Sequence, residues 1–202
     1  MQKSEGELAV SIARQAVEAE VKGAMKGHVD APESFREKRG VFVTLNHHPD
    51  HLLRGCIGFP EPIFSLASAL LQAAQHACHD PRFEDLQEDE LDTIVVEVTI
   101  LTPPEELKVE DRKKMPEMIK IGQDGLIAEF GPYRGLLLPQ VPVEWGWNAE
   151  EFLGQTCIKA GMSPDMWLDK RTKFYKFGGE IFSEQSPRGK VERKDITHGA
   201  CR

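Results

Sequence analysis

LRGCIG, residues 53–58, decides how the rest of the chain is read: an arginine precedes a cysteine that is flanked by two glycines, inside an apolar run that Pro60 and Pro62 close. Prolines stop extended pairing. Upstream, GVFVTL (residues 40–45) is rich in β-branched and aromatic side chains, and the polar NHHPDH lies between the two runs. The pattern predicts an antiparallel hairpin. Within it, Gly55 and Gly58 remove the side chains that would flank Cys56, so another main chain or a ligand can come close. The helix expected from near Pro62 would bring free amides, which together with the Arg54 guanidinium could hold a phosphate or carboxylate. A thiol in such company is a candidate nucleophile, ligand or redox centre. A nucleophile needs a base, and His47, His48 and His51 lie across the expected hairpin. The plainer reading makes Cys56 a compact buried filler and the glycines bulge markers.

Outward from the hairpin, Leu8, Ala9, Ile12, Ala13, Ala16 and Val17 recur at helical spacing behind a Ser4–Glu7 capping box. Phe64, Ala67, Leu70, Leu71, Ala74, Ala77 and Cys78 form a second, wider stripe that ends before Asp80-Pro81. TIVVEVTIL (93–101) predicts a strand. Residues 105–121 are charged and ambiguous. GLIAEFGPYRGLLLPQV predicts a hairpin around Gly-Pro-Tyr-Arg-Gly, its second strand ended by Pro139 and Pro142. Asn148 and Glu151 cap a short helix that Gly161 stops. FYKFGGEIF predicts a last strand, and residues 184–202 hold too little apolar material to pack, which predicts a flexible tail. Hairpins with grouped helices indicate an α+β fold with antiparallel sheet.

The chain has 202 residues, a formal charge of -8 and 40% hydrophobic residues, material for one substantial domain or two small lobes. Acid exceeds base and no basic stripe interleaved with aromatics occurs before the tail, which argues against a nucleic-acid partner. Apolar runs are far short of a membrane span, and Met1 leads into polar SEGE, so the expected location is the cytoplasm. Cys56, Cys78, Cys157 and Cys201 are scattered without a CxxC pair and read as reduced thiols. Cys78 and Cys157 sit on apolar stripes and read as core. HHPDH holds metal-ligand residue types, but a polar hairpin tip has the same composition, and no metal is assigned. Asp80-Pro81-Arg82-Phe83 could supply a charged pair to a pocket or brace a loop. Trp145 and Trp147 read as sheet packing or as an aromatic wall.

LRGCIG resembles the hallmark motif of the AMMECR domain family. The resemblance extends through GVFVTL, DPRF, DGLI, GLLLPQVPVEWGW, FLGQTCIKAG and Trp167, in order and over residues 4–183, in the manner of a prokaryotic or archaeal stand-alone member. It implies one domain over 4–183 with two subdomains: a larger lobe from the N- and C-terminal segments, a smaller central lobe, and a cleft between them. It also implies a functional motif at Arg54, Gly55, Cys56, Ile57 and Gly58, with Asp80, Arg82, Pro139 and Gln140 in matching blocks. The three histidines match no family signature. Family members occur beside or fused to Memo-like and radical-SAM proteins, which names a partner class but no reaction and no cofactor. Two functions follow. One is a binding or accessory module for a small ligand or a partner protein, with Arg54, Gly55, Ile57, Gly58, Asp80, Arg82 and Gln140 as ligand-binding residues. The other is an enzyme in which Cys56 is a functional thiol acting on an anionic substrate.

Overall fold

The computed structural model describes residues 1–24 and 31–194, and Cys201 lies outside them. The described residues divide into two units, one formed by those up to Leu101 with Glu180–Lys194, the other by Thr102–Gly179. The fold is α+β, as the hairpin pattern predicts.

The first unit is built on β1 (Val41–His47), β2 (Leu53–Phe59), β3 (Ile94–Leu101), β8 (Gly179–Glu184) and β9 (Val191–Lys194), ordered β2-β1-β3-β8-β9. The β1–β2, β1–β3 and β8–β9 pairs are antiparallel. Val41, Val43 and Leu45 of β1 and Ile94, Val96, Val98 and Ile100 of β3 alternate onto one face, the period-two signature of a sheet with one face on a core. That face packs on α1 (Lys3–Val21) and α2 (Leu66–Ala77). The helices bury Ala9, Ala13 and Ala16 and Ala69, Ala73, Ala74 and Ala77, small side chains that let two helices and a sheet approach closely. Long-range polar keys hold this unit together. Arg14 of α1 forms a buried two-point pair with Glu184 of β8 and donates to the carbonyls of Leu91 and Ile94, while Glu184 also accepts from Val96 N–H.

The second unit carries β4 (Glu105–Glu106), β5 (Gly125–Phe130), β6 (Tyr133–Leu137) and β7 (Lys173–Phe177) in the order β4-β7-β5-β6, all antiparallel. Its helices are α3 (Gln140–Trp145) and α4 (Ala149–Lys159). Phe152, Leu153 and Cys157 of α4 meet Leu126, Ala128, Phe174 and Met115 in an apolar core. Asn148 caps α4 and Glu151 completes the box, as its sequence predicts.

Several local expectations need correction. The first capping box is Gln2 with Glu5, two residues ahead of Ser4–Glu7. α2 starts at Leu66 behind Ser65, which accepts from Ser68 N–H, and not near Pro62. Pro142, expected to end a strand, lies inside α3, where the first turn tolerates proline. FYKFGGEIF is two strands, β7 and β8, in different sheets. The break falls at Gly178, whose N–H donates to Thr102 Oγ1 at 2.7 Å and whose carbonyl accepts from Thr102 N–H at 2.9 Å. The segment expected to be a tail from residue 184 contains β9, paired with Ile181–Glu184. A charged sequence such as VERK suits an outer strand, where few side chains need a core. Residues 195–202 of that expected tail lie outside the described residues.

Candidate functional site

The site begins with register. Cys56 of β2 faces Thr44 of β1, and Thr44 faces Glu97 of β3. Because Val43 and Leu45 go to the helix-packed core, Thr44 points to the other face, and Cys56 with it. There Thr44 Oγ1 donates to Cys56 Sγ at 3.3 Å. Cys56 is half-buried, whereas Cys78 and Cys157 are buried, and burial pushes their thiols up to about 12 and about 11. Protonated and enclosed, those two are core residues, as their apolar stripes predict. Glu97, 7% exposed on the same row, takes an ion pair from Lys194 Nζ at 2.8 Å.

The glycines have packing explanations. A Cβ on Gly55 would collide with the Ala77 carbonyl oxygen at the end of α2, and one on Gly58 with the Phe42 ring and the Val41 carbonyl oxygen. Helix and cross-strand phenyl occupy the space the missing side chains leave. Ile57 packs against the helix-side core.

The arginine expected beside the thiol is turned away. Pairing runs Leu45↔Gly55 and then Asn46↔Leu53, so Arg54 is an extra residue at a bulge, and a bulge re-aims its side chain. Arg54 is 8% exposed. Its Nε and Nη2 donate to the two oxygens of Glu90 at 2.7 and 3.0 Å, a two-point charge-assisted pair that raises the guanidinium's pKa and lowers that of Glu90. With α2 starting at Leu66, the expected anion cradle of Arg54 and helix amides is not assembled.

The cation beside Cys56 is Arg82. Asp80, 2% exposed, accepts Cys56 N–H at 2.8 Å through Oδ2, and holds Arg82 through Nη2–Oδ2 at 2.8 Å and Nε–Oδ1 at 3.1 Å. Arg82 Nη2 also lies 3.4 Å from the Cys56 carbonyl oxygen, to which it donates. The Asp80–Arg82 pair thus engages both polar groups of the Cys56 peptide on the outer side of β2, the first strand of its sheet, and takes the place of a neighbouring strand there. The Arg82 guanidinium, foremost, and the Cys56 amide hold the Asp80 carboxyl down to about 2. The Arg82 side chain stays 53% exposed.

His47 does not serve Cys56. His47 is three residues along β1 from Thr44, about 10 Å at the strand rise, and an odd number of steps puts it on the opposite face. Among the described residues no group of three or more His, Cys, Asp or Glu is placed to hold a metal ion. Gln140, with Pro139 before it, opens α3 of the second unit. There too, the rings of Trp145 and Trp147 stack with centroids 5.9 Å apart, and Trp145 is 70% exposed. Sequence reasoning missed Thr44, Glu90 and Glu97. Only Glu97 leaves a signal, as the single charged residue within IVVEVTIL.

Comparison with known proteins accords with the order of these motifs. The model of the AMMECR1 family matches residues 10–182. Protein MJ0810 of Methanocaldococcus jannaschii is 54% identical over 95% of this chain and 96% of its own length, and protein TK0174 of Thermococcus kodakarensis is 54% identical over 95% and 96%. The crystal structure of protein PH0010 of Pyrococcus horikoshii superposes with a TM-score of 0.76 at 50% identity, covering 96% of this chain and 98% of that one. None of these names states an activity.

Proposed function

This chain belongs to the AMMECR1 family, and from that premise we propose that it is a cytoplasmic binding module which takes an anionic small molecule, or an acidic segment of a partner protein, at Cys56 and Arg82. One observation carries the reading: the Asp80 carboxylate fixes, through hydrogen bonds, both the Cys56 peptide and a guanidinium that is half exposed to solvent. A cation held in place loses little side-chain freedom when an anion arrives. Arg82 and Cys56 touch the ligand, Asp80 positions both, and Arg54, Gly55, Ile57 and Gly58 shape the strand that presents them. Gln140 is proposed as a further contact within its own unit. Memo-like and radical-SAM proteins are the proposed partner class, on the family resemblance alone. No helix among the described residues is long and apolar enough to cross a membrane.

The thiol reading keeps one specific support, the Thr44 hydroxyl donating to Cys56 Sγ, since a hydrogen bond to sulfur favours the thiolate. Titrating phosphate, citrate and an acidic peptide against the wild type, Arg82→Ala, Cys56→Ala and Gln140→Ala separates the two. Binding that falls about tenfold in Arg82→Ala, the scale of one charge-assisted contact, and less than about threefold in Cys56→Ala supports the module. No binding of any of the three probes ends it. Rapid iodoacetamide labelling at Cys56 near neutral pH, in a Cys201→Ser chain, with Cys78 and Cys157 unlabelled, favours the enzyme.

A further inference from the structure

The segment that carries Asp80 and Arg82 has a second anchor, at its base. Leu86 N–H donates to the Cys78 carbonyl at 2.9 Å and closes residues 79–85 into a short loop. Its first residue, His79, has Nδ1 2.8 Å from Asp85 Oδ1 and Nε2 3.4 Å from Glu20 Oε1 in the last turn of α1. A neutral imidazole carries one N–H and would turn a bare lone pair toward the other carboxylate. The imidazolium donates to both. His79 therefore joins the end of α1 to the far side of its own loop only when it carries a proton.

We propose that His79 is a proton-operated clasp on the Asp80–Arg82 loop, and that its state sets how firmly that loop holds the Cys56 peptide. The proposal rests on the reading of Cys56 and Arg82 as the binding site and adds its regulation. Three links connect clasp to site: His79 precedes Asp80 directly, Asp80 accepts from Cys56 N–H, and Arg82 reaches the Cys56 carbonyl. The charged groups facing the ring are Glu20 from α1 and Asp85 from the loop, and Gln75 of α2 donates through Nε2 to Glu20 at 2.9 Å and holds that carboxylate in place. Cys78, the residue that ends α2, is buried and protonated and adds no charge. The Asp85 contact, foremost, raises the His79 pKa against an opposing effect of burial. For a group raised on folding, the stabilisation is full below its unfolded value and disappears as pH rises through its folded value. The clasp is thus closed in mild acid and opens toward alkaline pH. The ring is half exposed, so protons reach it without unfolding.

The test needs no ligand. Amide hydrogen exchange at Cys56 and Leu45, and iodoacetamide labelling of Cys56 in a Cys201→Ser chain, are followed from pH 5.5 to 8.5 and normalised to an unstructured peptide of the same local sequence. In the wild type, normalised Cys56 exchange and labelling are expected to rise about threefold across the titration, the scale of an exposed ion pair. His79→Gln should sit at the alkaline level throughout, and Asp85→Asn should move the step to lower pH. Identical profiles for wild type and His79→Gln overturn the clasp. An equal change at Leu45, a core residue of β1, also overturns it, because the whole sheet would then be responding. Loss of anion binding in Arg82→Ala bears only on the binding reading, so the two can fail separately.

Discussion

The two units solve the same packing problem with different materials. Among the described residues the second is one stretch of chain, Thr102–Gly179, whose sheet and α4 meet in a core with Phe152, Leu153, Phe174 and Met115. The first is assembled from two stretches, and its sheet meets helices lined with alanine. Alanine itself buries little area, and the larger side chains of that core include Ile12, Val17, Phe35, Leu66, Leu70 and Phe182. To that apolar core this unit adds polar contacts between residues far apart in sequence: Arg14 with Glu184, Arg54 with Glu90, Met1 with Glu180 and Lys194 with Glu97. A core of large side chains tolerates imprecise partners, whereas a buried ion pair accepts one arrangement. The difference teaches that the first unit adds buried charge to shape in selecting its distant strand.

The sharpest way to break that contrast is Arg14→Met. Leaving Glu184 buried without its partner should cost about 3–5 kcal/mol, read as a fall in the urea midpoint, while Arg14→Met with Glu184→Met should recover part of the loss. If the single and double variants are equally stable, charge is not what selects β8. The second unit should answer to shape instead. Gly135→Val drives a side chain into the Ala160 and Lys159 backbone of α4, and overpacking of this kind is expected to lose about 3 kcal/mol. Hydrogen exchange confined to the second unit would sharpen the division.

A smaller effect tests the site. Asp80 is ordinarily near 3.8 and is held down to about 2. A carboxyl lowered on folding stabilises above its unfolded value and loses that contribution as pH falls through its folded one. The wild type should therefore weaken between about pH 4 and 2 more than Asp80→Asn does, and parallel acid curves would deny Asp80 its bracing role. The smallest effect lies in the second unit, where the Thr172 hydroxyl is fully buried without a hydrogen-bond partner among the described residues. Thr172→Val should be neutral or stabilising by up to about 1 kcal/mol, and a loss larger than that would show that this hydroxyl has a task.

How much of this was legible in the sequence follows the same line. The β1–β2 hairpin, α2, β3, the β5–β6 hairpin and α4 are announced by local periodicity and caps, and so is the pairing of Cys56 with a neighbouring strand. What local pattern cannot carry is the bulge. Arg54 and Cys56 are two residues apart and would share a face of a regular strand, but one extra residue sends Arg54 to Glu90 and leaves Cys56 to Arg82. Asp80 and Arg82 were legible as a pair; that their target is the Cys56 peptide, 24 residues back, was not. β9 was hidden for a related reason, since Lys194 is explained only by Glu97 of a strand far upstream.

The order β2-β1-β3-β8-β9 has a consequence for synthesis on the ribosome. β3 is finished at Leu101, but the strand beside it starts only at Gly179, and at 5–20 residues per second the interval is roughly 4–16 s. Throughout that wait the outer edge of β3 and the guanidinium of Arg14 have no Glu184 to receive them, while the intervening stretch can already complete a core of its own. Slower translation across residues 102–179 should therefore lengthen the life of an open edge and increase aggregation of the nascent chain, and a supplied peptide spanning residues 179–194 should suppress it.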